Sequence, residues 1–132
     1  MEPADIIERL RSHPKFHNAG MVLCHLGVVR STSRDGRPVS GLRVAVDHER
    51  LQEVLSEKRD QPGILDIQIH ITENRDLAVG DTVMILAVAG DFRENVIRTL
   101  EDTLNAVKAT VTQKTEFFTP PTSGADQREA SK

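Results

Sequence analysis

Between residues 65 and 71 every second side chain is a large aliphatic one, and the residues between them are polar. The aliphatic positions are Leu65, Ile67, Ile69 and Ile71. Because successive side chains of a β-strand point to opposite faces, a period of two is typical of a strand with one face in the core and the other in water. The segment therefore predicts a half-buried β-strand in the middle of the chain.

Four further segments are predicted strands because they are rich in apolar and β-branched residues. They are 21–29, 39–46, 82–89 and 109–118. The first two are joined by a polar loop, 31–38, which contains the turn-forming pair Asp35-Gly36.

A long amphipathic helix is predicted after the strand at 82–89. Its apolar residues recur every three or four positions, at Phe92, Val96, Leu100, Leu104 and Val107. Asp91 precedes the pattern and is expected to cap the helix, which should end at about Lys108. A shorter surface helix is predicted over 49–58, and one or two helical turns over 6–10.

The order of these elements from residue 39 onward is strand, helix, strand, strand, helix, strand. Taken alone, this order suggests a ferredoxin-like α+β sandwich. A chain of 132 residues is long enough for one domain with a single core. We assign this domain to residues 1–118 and expect the polar tail, 119–132, to be disordered.

Composition argues against nucleic-acid binding. The formal net charge of −3 provides no global positive field, and with four Phe but no Trp or Tyr there are few side chains to stack on bases. Any anion site must therefore be local.

The sequence also does not indicate a membrane span, a metal site or a disulfide framework. No segment has the roughly 18 to 20 consecutive apolar residues of a membrane span, and the first residues lack the pattern of a secretory signal, so we expect a cytoplasmic protein. The single cysteine, Cys24, lies in an apolar run and is expected to pack as a small hydrophobic side chain. The five histidines lack the spacing of common zinc sites, so no metal site is predicted.

Four cationic residues are candidates for function, and each also has a simpler interpretation. Lys108 at the end of a helix complements the helix dipole, and Arg30 and Lys114 are typical of solvated charges at strand ends. Arg93 is less expected, because a cation in the first turn of a helix opposes the dipole unless an anion lies nearby. Asp91 or Glu94 could be that anion.

Several short strings along the chain carry a family resemblance. They are Gly27-Val28-Val29-Arg30, Leu77-Ala78-Val79-Gly80-Asp81, Phe92-Arg93 and Lys108. Residues 18–117 resemble the large, catalytic subunit of molybdopterin synthase, the MoaE family. The resemblance lies in these strings, in the spacing between them and in the order of the secondary-structure elements. The resemblance implies the α/β-hammerhead fold, an α+β architecture, and a homodimer.

The resemblance also implies an activity and a partner. The partner is a small sulfur-carrier subunit with a C-terminal Gly-Gly thiocarboxylate, and the pterin substrate is cyclic pyranopterin monophosphate, which is converted to the dithiolene of molybdopterin. No intrinsic cofactor is implied.

The resemblance assigns Arg30 and Arg93 to substrate binding and Lys108 and Lys114 to catalysis. A guanidinium can hold phosphate bidentately, and a lysine near the thiocarboxylate can stabilise developing charge, or transfer protons if burial lowers its pKa.

Three positions depart from the family pattern. Phe92, in the substrate-binding set, stands where the family usually has histidine, and Val28 stands where many members have lysine. Gln113-Lys114-Thr115 lacks the aromatic residue and the proline that normally surround the second lysine. These departures leave an alternative open, a non-catalytic dimer of the same fold that binds an anion or a protein partner.

Overall fold

The computed structural model describes residues 1–120, which contain three α-helices, a short 3₁₀ helix (Phe16–Asn18) and six strands. The helices are α1 (Pro3–Arg11), α2 (His48–Arg59) and α3 (Arg93–Thr110). The strands are β1 (Met21–Val28), β2 (Val39–Val46), β3 (Ile64–Ile71), β4 (Leu77–Ala78), β5 (Thr82–Gly90) and β6 (Thr112–Phe118). Every predicted element is present, whereas the predicted tail from residue 121 onward lies outside the described residues.

The strands form two antiparallel three-stranded sheets. The first sheet has the order β1-β5-β3 and the second the order β4-β2-β6. Loop 29–38, between β1 and β2, therefore crosses from one sheet to the other. A ferredoxin-like sandwich needs one four-stranded sheet, so that alternative is wrong for the part of the chain described.

Both faces of the first sheet are covered, and its central strand has no solvent face. All seven residues 84–90 of β5 are buried. On one face lies the main core, to which α2, α3 and the second sheet contribute. On the other face lies a smaller cluster built on Ile6 and Leu10 of α1, with Ile85, Ala87 and Ala89. Strand β5 is a near-continuous apolar run because each of its two faces packs against a different layer.

A β-bulge in β3 corrects the prediction of one continuous apolar face. Ile64 pairs with Gly90 and Asp66 with Ala89, so Leu65 is an extra residue on this strand. Leu65 consequently packs against the α1 cluster, whereas Ile67 and Ile71 are buried in the main core. The face predicted to be in water is also partly covered, because α1 packs on it.

The start of α3 differs by one residue from the prediction. Phe92, not Asp91, is the N-cap residue, and its side chain makes no capping hydrogen bond. The Asp91 carboxylate instead accepts hydrogen bonds from the backbone N–H of Phe92 and the side-chain amide of Asn95, at 2.6 and 2.9 Å. These bonds hold the pKa of Asp91 below its ordinary value. The helix then continues to Thr110, two residues beyond Lys108.

Gly63 supports this helix start, and we expect Gly63→Ala to destabilise the protein by about 2 to 5 kcal/mol. Its φ of 76° lies in the left-handed region, which costs about 1 to 2 kcal/mol for a residue with a β-carbon. That β-carbon would also overlap the side chains of Asp91 and Asn95, and overpacking costs roughly a further 1 to 3 kcal/mol.

Gly36→Ala is the matched control for chemical denaturation of the two variants. Gly36 has a φ of 88°, but a β-carbon there would meet no atom within 4 Å. Only the backbone cost of about 1 to 2 kcal/mol is expected. An equal decrease in the free energy of unfolding in the two variants would contradict the packing argument at Gly63.

Cys24 packs as a small hydrophobic side chain against the α1 cluster, as predicted. Burial raises the pKa of its thiol. Within residues 1–120, no helix combines the length and apolar character needed to cross a lipid bilayer.

Candidate active site

A cavity of about 370 Å³ opens where the two sheets meet. Its walls come from β1 and β5 of the first sheet, β2 and β6 of the second sheet, loop 29–38 and the C-terminal end of α3. The apolar part of the wall includes Val28, Val29, Val39, Leu42, Val83 and Met84.

The polar part of the wall is mostly cationic. Among residues 1–120 it carries Arg30 and Arg34 from the loop, Lys108 from α3 and Lys114 from β6, against a single carboxylate, Glu116. The protein as a whole is acidic, with a formal net charge of −3. The cavity is therefore a local concentration of positive charge, suited to an anion of small-molecule size.

Three of the five residues predicted for the site meet in this cavity. Arg30, Lys108 and Lys114 all line it, although 84 positions separate the first from the last. Nε of Arg30 donates a hydrogen bond to the carbonyl oxygen of Thr32 at 2.8 Å, which orients the guanidinium on its loop. Lys108 and Lys114 are exposed side chains, so their ammonium groups are accessible to an anion that enters the cavity.

The other two predicted residues lie elsewhere. Phe92 and Arg93 do not line the cavity and stand at the opposite end of α3. The Arg93 side chain is 78% exposed, and its Nε lies 3.9 Å from the Glu94 carboxylate. Fifteen residues of helix separate Arg93 from Lys108, which is about 22 Å at roughly 1.5 Å per residue.

Two basic residues of the cavity, Arg34 and His25, were not singled out from the sequence. Arg34 was missed because it lies in a polar loop whose path sequence patterns do not define. That loop is held by hydrogen bonds between Ser33 and Arg37, and the Arg37 guanidinium lies 3.8 Å from the centroid of the Phe118 ring. His25 could have been noticed, because it is a polar residue in an apolar run, two positions before Gly27 and on the same face of the predicted strand.

His25 is half-buried in the cavity wall. Gly27 gives the imidazole its space, since a β-carbon on residue 27 would lie 3.3 Å from Nε2 of His25. Burial lowers the pKa of His25 from its ordinary value of 6.5, and the positive charge of Lys108 lowers it further. The imidazole is consequently neutral at physiological pH, with one nitrogen free to accept a proton.

A comparison with protein families decides where the chain belongs. The sequence model of one family, described as MoaE protein, matches residues 1–110. The chain belongs to the MoaE family. No curated protein sequence matches it at a significant level.

Solved structures agree with this MoaE assignment at the level of the fold. Molybdopterin cofactor biosynthesis protein E from Burkholderia multivorans is 21% identical, with a TM-score of 0.70 over 96% of this chain and 89% of that one. Molybdopterin synthase from Staphylococcus aureus is also 21% identical, with a TM-score of 0.66 over 79% and 78%. A complex of subunits 1 and 2 of the molybdopterin-converting factor from Helicobacter pylori contains a chain that is 14% identical, with a TM-score of 0.66 over 93% and 87%. The predicted MoaE-like α+β fold is confirmed.

The three positions expected to depart from the MoaE pattern, Val28, Phe92 and Gln113, are all exposed. Val28 lines the cavity and is 51% exposed, so it presents an aliphatic surface to the cavity. Phe92 is 68% exposed and belongs to neither core cluster, which excludes a core role for its ring.

We therefore expect Phe92→His to change the free energy of unfolding of this MoaE chain by less than about 0.5 kcal/mol, because surface substitutions rarely cost more. Val96→His is the matched control on the buried face of the same helix, where an imidazole without partners costs about 1 to 3 kcal/mol. Thermal melts of both variants test this. A loss of about a kcal/mol or more in Phe92→His would show that the ring packs in solution.

Proposed function

We propose that this MoaE chain is the catalytic subunit of a molybdopterin synthase in molybdenum cofactor biosynthesis. It transfers sulfur from the thiocarboxylated C-terminus of a small carrier protein to cyclic pyranopterin monophosphate. The observation that carries the proposal is the meeting of Arg30, Lys108 and Lys114 in one cation-rich cavity. Membership of the MoaE family supports it.

The cavity suits both reactants. A volume of about 370 Å³ falls within the usual range for small-molecule sites, roughly 300 to 1,000 Å³. Arg30 can bind the cyclic phosphate bidentately, with Arg34 as a second guanidinium on the same loop. Lys108 and Lys114, on the facing elements, can stabilise the negative charge of the thiocarboxylate and the charge that develops as it reacts.

The sulfur has to come from a partner. The chain has one cysteine, Cys24, and it packs against α1 on the other face of the first sheet, with a thiol pKa that burial raises. Such a thiol is a poor nucleophile and does not line the cavity. A carrier subunit with a C-terminal Gly-Gly thiocarboxylate supplies the sulfur atom. The Helicobacter pylori complex of two subunits is consistent with such a pairing.

The working enzyme is proposed to be a homodimer in the cytoplasm. Phe92 and Arg93 lie too far from the cavity of their own chain to contact a substrate bound in it. In a two-fold dimer they can reach the cavity of the partner subunit instead, which gives two equivalent shared sites.

Reconstitution tests the proposal. The purified chain is mixed with a thiocarboxylated Gly-Gly carrier and cyclic pyranopterin monophosphate, and molybdopterin is measured as its fluorescent oxidation product. Product is expected with the thiocarboxylate and not with the same carrier ending in a carboxylate. If the complex forms but no product appears, the catalytic function is wrong.

A second candidate function is a non-catalytic MoaE-like module that binds the pterin or the carrier without turnover. Val28 in the cavity wall and Phe92 at the helix start favour it, because both replace polar contacts of the family pattern. Binding of cyclic pyranopterin monophosphate by calorimetry, together with no product in the reconstituted assay, is the result that this candidate predicts.

A further inference from the structure

His25 is the polar side chain of the cavity that the proposed function leaves without a role. It lies on β1 within the cavity wall, with its Nε2 directed toward the space above Gly27. Only burial and the charge of Lys108 perturb its pKa, and no hydrogen bond contributes. Within residues 1–120 this ring has no hydrogen-bond partner, yet its nitrogens are not among the fully buried unpaired atoms, so they are open to water or a ligand in the cavity.

The other polar groups around this ring differ from it in chemistry. The charged residues that share the cavity are Lys108 from α3, Lys114 and Glu116 from β6, and Arg30 and Arg34 from loop 29–38, whereas β5 contributes only apolar side chains. Lysine and arginine side chains act mainly as donors near neutrality, and a carboxylate is a weak base there. Among the described residues of the wall, His25 alone has an ordinary pKa close to neutrality.

The proposed reaction requires such a base. When the thiocarboxylate sulfur has bonded to a substrate carbon, the acyl carbon of the carrier remains attached to that sulfur as a thioester. To free the carrier, a water oxygen must bond to the acyl carbon while the carbon–sulfur bond breaks, with its electron pair leaving on sulfur. The carrier departs as a carboxylic acid, the sulfur stays on the substrate as a thiolate, and no oxidant or reductant is consumed.

We propose that His25 is the general base that takes the proton from this water. The proton then returns from the imidazolium to the substrate thiolate as a thiol, which restores the neutral ring. Lys108 assists by stabilising the oxyanion that forms on the acyl carbon. Its charge also favours the neutral, proton-accepting form of the imidazole. This inference rests on the proposed function, and it assigns the step that releases the carrier.

His25→Gln is the test variant, because glutamine keeps a polar side chain but cannot accept a proton near neutrality. In the reconstituted assay we expect kcat to fall about 10²- to 10⁴-fold, with a lowered and not a raised KM for the pterin, because slow hydrolysis leaves more of the enzyme as the bound thioester. The carrier–substrate thioester should accumulate and be visible by mass spectrometry, because the step assigned to His25 is the one that consumes it. Leu26→Gln, one position along the same strand but outside the cavity wall, is the matched control and should retain normal turnover.

The pH profile gives a readout that a purely structural role would not alter. In the unaltered chain, kcat should fall as the pH drops through the pKa of His25, because the imidazolium cannot accept a proton. This acid limb should be absent from the residual activity of His25→Gln. Normal turnover by His25→Gln, or lost turnover with a raised KM and no thioester, would overturn the inference.

An NMR titration tests the site without any turnover. The ring protons of His25 should titrate below the ordinary pKa of 6.5. In Lys108→Gln the pKa should rise but stay below that value, because a repelling charge is removed while burial remains. Lys15→Gln, outside the cavity, should leave it unchanged. An unaltered pKa in Lys108→Gln would overturn the pairing of these two residues, whereas no turnover by the unaltered chain would overturn the proposed function and this inference with it.

Discussion

Lys108→Ala is expected to lower sulfur transfer in the reconstituted synthase by at least about 10²- to 10³-fold, the usual effect of removing one group that stabilises developing charge. The side chain is exposed and lines the cavity, two residues before the C-terminal end of its helix. Its removal leaves no buried group unpaired, so the melting temperature should change little. The loss should appear in kcat, because the charge acts mainly on the transition state.

Arg98→Ala is the matched control, since Arg98 is an exposed cation on the same helix and does not line the cavity. It should keep full activity. Unchanged turnover in Lys108→Ala would contradict the catalytic assignment. A lower melting temperature with normal activity per folded molecule would instead support a role for Lys108 only in complementing the helix dipole.

Mixing two inactive variants is expected to restore activity. Arg93→Ala and Lys108→Ala each lose both sites of a homodimer if each site combines Lys108 of one subunit with Arg93 of the other. In a mixed dimer one site has both residues intact. Random exchange makes about half of all dimers mixed, so the recovered activity should reach roughly a quarter of that of the unaltered protein.

The control pair is Lys108→Ala with Lys114→Ala. Both residues line the cavity of a single chain, so no mixed dimer of these two variants contains an intact site and activity should stay at background. No recovery in the Arg93 and Lys108 mixture, with mixed dimers demonstrated by differential tagging, would show that Arg93 does not complete the site of a partner subunit.

The elements of this fold could be predicted from the sequence, but their assembly could not. The pattern at 65–71 and the helical period after Phe92 are local, so β3 and α3 were found within a few residues of their bounds. Strand pairing depends on contacts distant in sequence, and the polar loop 31–38 gives no indication that it crosses between two sheets. The β-bulge at Leu65 could not be predicted either. Apolar and polar residues alternate through the bulge in the sequence, although the bulge changes the face of the sheet on which the Leu65 side chain packs.

The site was predictable to a similar degree. The family resemblance led to Arg30, Lys108 and Lys114, which the fold brings into one cavity. It could not lead to His25, because the importance of that residue comes from its neighbours across the cavity and not from any motif. The separation of Arg93 from Lys108 followed from helix geometry alone, since fifteen residues of helix are too long for one small ligand to span.

The double-sided burial of β5 determines where a chain of this kind can change over evolution. A strand that packs on both faces has no position that tolerates a charge, so residues 84–90 are restricted to apolar or small side chains that fit their neighbours. Most positions of loop 29–38 and of the last turn of α3 are exposed and carry no such restriction, apart from the buried Val29, Ser33 and Val107, although these segments form much of the cavity wall. Proteins with this framework can therefore differ at most positions, as the 14 to 21% identities to solved structures illustrate, and can acquire new cavity chemistry without rebuilding the core that holds it.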